Sequence, residues 1–395
     1  GEIGRVLHEV GHGVDDLLQA AHVWRRTRPA GDHRLDANRT AVVRLDHLVQ
    51  QLLHAEALVH RVVGGLWRGG QPGQDFAAAH RLGDHQLGVL ARVVGGRRAR
   101  HLAGDDGDGG NVTINNGTVT AIAIARYGGG AGIGGGFRGW GGSVTINGGK
   151  VTAKGGGYTG GAGIGAGKFG GNCTVTITGG EVHAMGGLGS AGIGGDDVTI
   201  SNGTVIAIGD IDGGAGISGN VTISNGTITA TGGFQNAGIE GTVTIIGGEV
   251  QARGGYSGAG VGSGDVTISN GIVTAVGGTF GAGIGGGCQG SSGEITIKGG
   301  TVTATGGDHA AGIGGGCEGS GGKITIEDGK VTATGGDGGA GIGGGGYPRL
   351  SGGSGGTIII NNYPTVIATG RGGGADIGNG RNAVGKTIIK HGDVQ

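Results

Sequence analysis

Short runs in which hydrophobic and polar residues alternate recur along the chain from residue 112 onward. In Val112-Thr113-Ile114 the alternation places Val112 and Ile114 on one side of a strand and Thr113 on the other. Repetition of this run predicts a solenoid in which each period is one coil. The run occurs ten times before an eleventh copy begins at Ile388, with starts at Val112, Val144, Val175, Val198, Val221, Val243, Val266, Ile295, Ile324 and Ile358.

Each period contains three β-type segments, V-T-I, V-T-A and A-G-I, separated by turn residues. Pairs such as Asn225-Gly226 stand between the first two segments, where glycine accepts the positive φ of a sharp corner. The shortest periods have 22 or 23 residues, and longer periods add residues just after the A-G-I-G-G segment. Coils stacked in parallel at about 4.8 Å predict an all-β fold: a right-handed parallel β-helix with three sheets.

The composition agrees with a solenoid and excludes other glycine-rich classes. Glycine supplies 111 of 395 residues, yet the chain has four prolines and keeps no three-residue period, which excludes collagen. A disordered linker is a poor interpretation because the apolar positions recur in register and can be buried coil after coil. The net charge of −1 indicates no nucleic-acid partner. No apolar run is long enough to predict a transmembrane segment.

Residues 1–105 differ sharply in composition from residues 106–395. They hold 14 arginines, no lysine and ten of the 13 histidines. Apolar residues between Val42 and Val63 have helical spacing, so a few amphipathic helices are one interpretation. The alternative interpretations are a disordered segment and an artefactual reading frame. The predicted domains are therefore 1–105, a compositionally distinct segment, and 106–395, the parallel β-helix.

One motif with catalytic chemistry lies in this segment, His8-Glu9-Val10-Gly11-His12. On a helix, His8 and His12 share a face and can hold zinc, with Glu9 beside a bound water as general base. No metzincin-type extension follows, and a chance match is easy where histidines are so frequent. The zinc-protease hypothesis therefore competes with a solvated or untranslated stretch that binds no metal.

Aromatic residues recur just before the third segment and in the added loops. Neighbouring rings can form a stacking platform for sugar rings, or they can cap the corner by packing on each other. The third segment places glycine at its middle position in every coil, which predicts a smooth outward trough beside these rings. The candidate carbohydrate-binding residues are Tyr127, Tyr158, Phe234, Tyr256, Trp140 and Tyr347.

A row of threonines is predicted on the outer side of the first sheet. A regular threonine array suits a repetitive surface such as a polysaccharide or ice, but stacked threonines also suit an ordinary solvated sheet. The row comprises Thr113, Thr145, Thr176, Thr199, Thr222, Thr244, Thr267, Thr296 and Thr325.

Asp308 and Asp337 occupy equivalent positions in adjacent coils, so their carboxylates are candidates for sharing a calcium ion. The sequence establishes no cofactor, and calcium is a candidate. The other acidic residues, such as Asp196, Asp197 and Asp265, stand before strands with no convergent cluster of acids and bases. This disfavours catalysis without excluding it.

Two of the three cysteines, Cys288 and Cys317, each lie four residues after the strand isoleucines Ile284 and Ile313. Their expected separation is compatible with a disulfide and equally with two small apolar residues in a stack. Cys173 has no evident partner, and no C-x-x-C spacing indicates zinc.

The units at Ile295 to Gly315 and Ile324 to Gly344 resemble repeats of bacterial cell-surface glycine-rich proteins, described as carbohydrate-binding-domain or adhesin-like, and are similar to polysaccharide-lyase-like right-handed β-helices. The resemblance covers Asn111 to about Gln395. It implies an extracellular or cell-surface location and binding to a polysaccharide or host glycan. Because the chain begins with Gly1 and ends inside a coil, it is interpreted as a fragment, outside which an export signal and an anchor could lie.

The prediction is therefore a binding or adhesive solenoid without catalysis. A polysaccharide lyase or glycoside hydrolase on the same scaffold is the second hypothesis, and an ice-binding protein is the third.

Overall fold

A computed structural model describes residues 77–78, 90–94, 108–123, 129–156, 160–347, 351–362, 364–383 and 388–391. All of these residues belong to the unit Asp75–Gln395. The zinc motif, the segment from Val42 to Val63, Tyr127 and Tyr158 lie outside the described residues, so the predictions made for them stay predictions. The described residues include no helix long and apolar enough to cross a membrane.

The repeats form the parallel solenoid that the alternation predicts. We number its coils 1 to 10 from the strand starts at Val112, Val144, Val175, Val198, Val221, Val243, Val266, Ile295, Ile324 and Ile358. The first sheet stacks Asn111–Ile114, Gly142–Ile146, Cys173–Ile177, Ile193–Ile200, Ile217–Ile223, Ile239–Ile245, Val261–Ile268, Glu294–Ile297, Lys323–Ile326, Thr357–Ile360 and Ile388–His391.

The second sheet has one strand from each coil, all parallel and in register through a shared alanine such as Ala230 and Ala252. Its strands are Thr118–Ile122, Lys150–Lys154, Glu181–Met185, Thr204–Ile208, Thr227–Thr231, Glu249–Arg253, Ile272–Val276, Thr301–Thr305, Lys330–Asp337 and Thr365–Arg371. At one edge, Leu90–Val94 pairs antiparallel with Thr118–Ile122, and Ala77–Ala78 pairs antiparallel with Leu90–Val94. The sequence did not predict these two added strands.

The third sheet is narrow, and where its strands are separate elements each is two residues long, as in Ile284–Gly285. In coils 3 to 6 no residues are inserted, so the third strand continues directly into the first strand of the next coil, as in Ile193–Ile200. The separate third strands are Ile133–Gly134, Ile164–Gly165, Ile284–Gly285, Ile313–Gly314, Ile342–Gly343 and Ile377–Gly378.

A single column of aliphatic side chains runs along the axis. In coil 5 it contains Val221, Ile223, Ile228, Ala230 and Ile239, all essentially inaccessible to solvent. Ile114, Ile146 and Ile177, which begin the column, pair in register and are buried. Burying each Val or Ile contributes about 1.5–3 kcal/mol. Since each coil contributes only a thin slice, its stability depends on the coils above and below.

The predicted corners between the first two sheets are confirmed. Gly226 has φ 106° and Gly271 has φ 103°, both in the left-handed region. The Asn270 side-chain oxygen accepts a hydrogen bond of 2.8 Å from the Gly271 amide, which holds the turn. A residue with a side chain is strained at such a φ.

Candidate functional site

The glycine trough predicted on the third sheet is absent, because its glycines are buried. At Gly238, a side-chain β-carbon would lie 2.7 Å from the Arg253 nitrogen, 2.8 Å from the Gly260 oxygen and 2.9 Å from the Ala230 oxygen. All three are backbone atoms, so the glycine allows the chain to approach the ends of the second-sheet strands. The prediction was wrong at Gly132, Gly163, Gly192, Gly216, Gly238, Gly260, Gly283, Gly312 and Gly341.

The threonine row on the first sheet is confirmed as an in-register, outward-facing stack across nine coils. It is one residue wide. The outward position two residues before each threonine is mixed, and it includes the exposed residues Asp197, Asp265 and Lys323. A threonine row that is one residue wide and has charged neighbours fits an ordinary solvated parallel sheet.

Five aromatic rings, each in contact with the next, form the aromatic column at the corner between the second and third sheets. Its members, one from each of coils 5 to 9, are Phe234, Tyr256, Phe280, His309 and Tyr347. Phe234 and Tyr256, both predicted as sugar-binding residues, stack with their centroids 5.3 Å apart and their planes 2° apart. They pack on each other and are still 49% and 46% exposed. The column therefore combines mutual packing with an accessible apolar surface.

Phe280 and His309 complete the column, and the sequence analysis missed both. Phe280 meets Tyr256 edge to face at 5.2 Å, and His309 stacks on Phe280 at 6.2 Å. In coils 5 and 6 the aromatic residue follows Gly-Gly directly, whereas in coils 7 and 8 it comes one position later. The two turn positions share one corner, so a search that allowed either position would have found Phe280 and His309.

Tyr347 reaches the column from a different part of its coil. It lies in the insertion that follows Ile342–Gly343, and its ring contacts His309 edge to face at 5.2 Å. The Gly346 amide donates a hydrogen bond of 2.7 Å to the His309 carbonyl, which attaches this insertion to the column. The prediction placed Tyr347 in an added loop, and the structure joins that loop to Phe234 and Tyr256 through His309.

The apolar surface continues beyond the rings toward coil 3. Leu188 in coil 3 is 40% exposed and Ile211 in coil 4 is 61% exposed, and both belong to the turn between the second and third sheets. The Phe234 amide donates to the Ile211 carbonyl at 3.0 Å, so the two turns are adjacent. The exposed apolar side chains thus follow this corner through several coils.

Asp308 and Asp337 stand at the same corner, and both are exposed. Asp308 precedes the column residue His309 in sequence, and the His309 Nδ1 atom is 2.6 Å from the Asp337 carbonyl oxygen. Among the described residues no group of three or more His, Cys, Asp or Glu side chains is placed to hold a metal ion. Calcium binding by these two carboxylates alone stays a prediction.

A second aromatic group lies in the insertions of coils 1 and 2, apart from the column. Phe137 and Phe169 meet edge to face at 5.9 Å, and the Arg138 guanidinium lies 5.1 Å from the Phe137 centroid. Trp140 is 58% exposed, and its amide donates to an Asp108 carboxylate oxygen at 2.8 Å. Coils 2 to 4 separate Trp140 from Phe234, so the structure does not bring all the predicted sugar-binding residues together.

A family model described as Beta helix repeat matches nine segments of the chain. They are residues 112–137, 144–168, 175–197, 198–220, 221–241, 243–265, 266–288, 295–317 and 324–346, and together they cover more than half of it. The chain belongs to the beta helix repeat family. Beta helix repeats occur in both enzymes and non-enzymes, so membership in the family leaves the activity open. No curated protein and no solved structure matches the chain.

The three cysteines of this beta helix repeat chain are free thiols. Burial raises the pKa of Cys173 to about 12, and the nearby Asp196 carboxylate adds to the effect. Burial also raises the pKa of Cys317 to about 12 and raises that of Cys288, with Glu318 adding to both. Only Cys288 is exposed.

We expect iodoacetamide to alkylate Cys288 and spare Cys173 in the reduced, folded protein. The thiolate is the species that reacts with iodoacetamide, and a raised pKa lowers the fraction of a cysteine that is present as thiolate. At about pH 8, a cysteine with a pKa near 12 is a thiolate in roughly one molecule in ten thousand. Peptide mass spectrometry after a short exposure gives the modified fraction at each position. Equal labelling of Cys173 and Cys288 would contradict the burial described here, and denatured protein labelled at all three positions is the control.

Proposed function

We propose that this protein is an extracellular or cell-surface binding solenoid that recognises a polysaccharide along the aromatic column, without catalysing its cleavage. The observation that carries the proposal is the column itself, in which five rings contact one another in sequence and two of them are about half exposed. Phe, Trp and Tyr make up only 3% of the residues of the chain, so the column holds an unusually large share of them.

The spacing of the column supports a polymeric ligand. Neighbouring ring centroids are 5.2–6.2 Å apart, and each ring comes from a different coil. A chain of sugars along this corner can therefore meet one ring in each coil, flanked by groups that can hydrogen-bond hydroxyls, such as the Tyr256 hydroxyl and the Asp308 carboxylate. Small ligands are usually bound in concave pockets, whereas the column follows a long corner of the solenoid.

The test is binding of the purified chain to a panel of neutral and acidic polysaccharides by affinity electrophoresis and calorimetry. We expect at least one polymer to bind, and Tyr256→Ala to weaken that binding about 3- to 10-fold, the scale of one lost aromatic contact. Phe169→Ala is the matched control, since Phe169 is 75% exposed and lies outside the column. Trp140→Ala shows separately whether the insertion of coil 1 adds a contact.

The same incubations separate the competing functions. New reducing ends or unsaturated products would replace the binding proposal with a hydrolase or a lyase. Binding to no polysaccharide, or equal losses for Tyr256→Ala and Phe169→Ala, would contradict recognition by the column. Thermal hysteresis of the purified protein tests the ice-binding alternative.

A further inference from the structure

Cys288 and Cys317 occupy the same position in the insertions of coils 7 and 8. The strands just before them, Ile284–Gly285 and Ile313–Gly314, pair in register. The stacking continues into the insertions, where the Gln289 amide donates a hydrogen bond of 2.8 Å to the Cys317 carbonyl. Parallel neighbours are about 4.8 Å apart, which lies within the α-carbon separations of roughly 4.4–6.8 Å that a disulfide spans.

The two thiols are neighbours with unequal access to solvent. The two thiols are close enough for each to shift the pKa of the other, with Cys288 raising the pKa of Cys317. Cys288 is exposed, while Cys317 is only 2% exposed. A reagent in solution therefore meets Cys288 first, and the Cys317 sulfur is already in contact with it. This is the arrangement of an attacking thiol and a resolving thiol.

We propose that Cys288 and Cys317 form a cross-linking site that uses a low-molecular-weight disulfide, such as oxidised glutathione, to become an intramolecular disulfide between coils 7 and 8. The Cys288 thiolate attacks one sulfur of the small disulfide, which breaks that bond and releases one thiolate. The Cys317 thiolate then attacks the Cys288 sulfur and displaces the second small thiolate. Both protein protons end on the released thiols, so two cysteines are oxidised and one small disulfide is reduced to two thiols.

Backbone hydrogen bonds attach both insertions beside the aromatic column. The Cys288 amide donates to the Ser257 carbonyl at 2.8 Å, and the Cys317 amide donates to the Phe280 carbonyl at 2.9 Å. Ser257 follows Tyr256 in sequence, so both cysteines are anchored beside column residues. Oxidation therefore ties together two loops that lie against consecutive rings. The inference does not depend on glycan binding.

The experiment incubates the fully reduced full-length chain with oxidised glutathione, then removes the reagent and counts thiols in denaturant. The thiol count is expected to fall from three to one, with a loss of two hydrogens in the intact mass and no retained glutathione. Peptide mapping without reductant is expected to identify the Cys288–Cys317 peptide pair. Three surviving thiols, stable glutathione on wild-type Cys288, or a disulfide between two chains would each overturn the proposal.

Three serine variants assign the roles of the cysteines. Cys317→Ser is expected to retain glutathione on Cys288, because the resolving thiol is missing. Cys288→Ser is expected to stay fully reduced in the folded state, and Cys173→Ser is the control that cross-links like the wild type. Retention of glutathione at Cys317 in the Cys288→Ser variant would contradict the assigned order of attack. If a variant fails to fold, the wild-type peptide map still decides the proposal.

Discussion

Replacing Gly238 with valine is expected to unfold the middle of the solenoid. The new β-carbon would lie within 2.9 Å of backbone atoms of Ala230, Arg253 and Gly260. Backbone within stacked sheets cannot rotate away as a flexible side chain can, so the coils must separate. We expect a loss of more than about 3 kcal/mol in the free energy of unfolding.

Gly171→Val is the matched control for this prediction. Gly171 lies in the insertion of coil 2, and a β-carbon there meets no atom within 4 Å. The same substitution should change stability by no more than about 0.5 kcal/mol. Urea unfolding followed by circular dichroism compares the two variants. A Gly238→Val protein as stable as Gly171→Val would mean that the third sheet has room for side chains after all.

Aspartate at Ile245 is expected to be severely destabilising, whereas aspartate at the next residue, Ile246, is expected to be tolerated. Ile245 is fully buried in the aliphatic column, and Ile246 is 47% exposed. Ser292, 9% exposed, is the only buried polar residue among those the structure describes, so the column has nothing to pair with a carboxylate. The expected cost at Ile245 is at least about 3–5 kcal/mol.

Ile245 and Ile246 make a stringent comparison because they are the same residue type, lie next to each other at the end of one strand and belong to the same coil. We expect Ile246→Asp to remain within about 1 kcal/mol of the wild type, since it adds a solvated charge to the surface. Thermal and urea unfolding of both variants give the comparison. Similar stability of the two variants, or the reverse order, would show that the inward and outward faces of this strand have been assigned wrongly.

The fold could be predicted almost entirely from the pattern because alternation decides which face of a strand is buried. Val221 and Ile223 flank Thr222, and the structure buries the first two and turns the third outward. The pattern failed at Gly238, since this glycine directly precedes the strand Ile239–Ile245 and alternation within the strand does not define which way it faces. Contact between backbones there depends on the path of the next coil, which no local pattern contains.

The candidate site could be predicted only in part, for a related reason. Phe234 and Tyr256 were found because they occupy identical positions in consecutive periods. Phe280 and His309 were missed because each is displaced by one residue, although the displaced ring still reaches the same corner. Tyr347 joins them through a longer insertion, and the path of such a loop depends on tertiary hydrogen bonds such as that from Gly346 to His309.

The uninterrupted coils 3 to 6 have a consequence for how such a gene can change. Every aliphatic position of coil 5 meets its own equivalents in coils 4 and 6, so duplicating or deleting one whole period preserves each kind of neighbour. Unequal recombination can therefore lengthen or shorten the solenoid by whole coils, and no new set of core residues is needed.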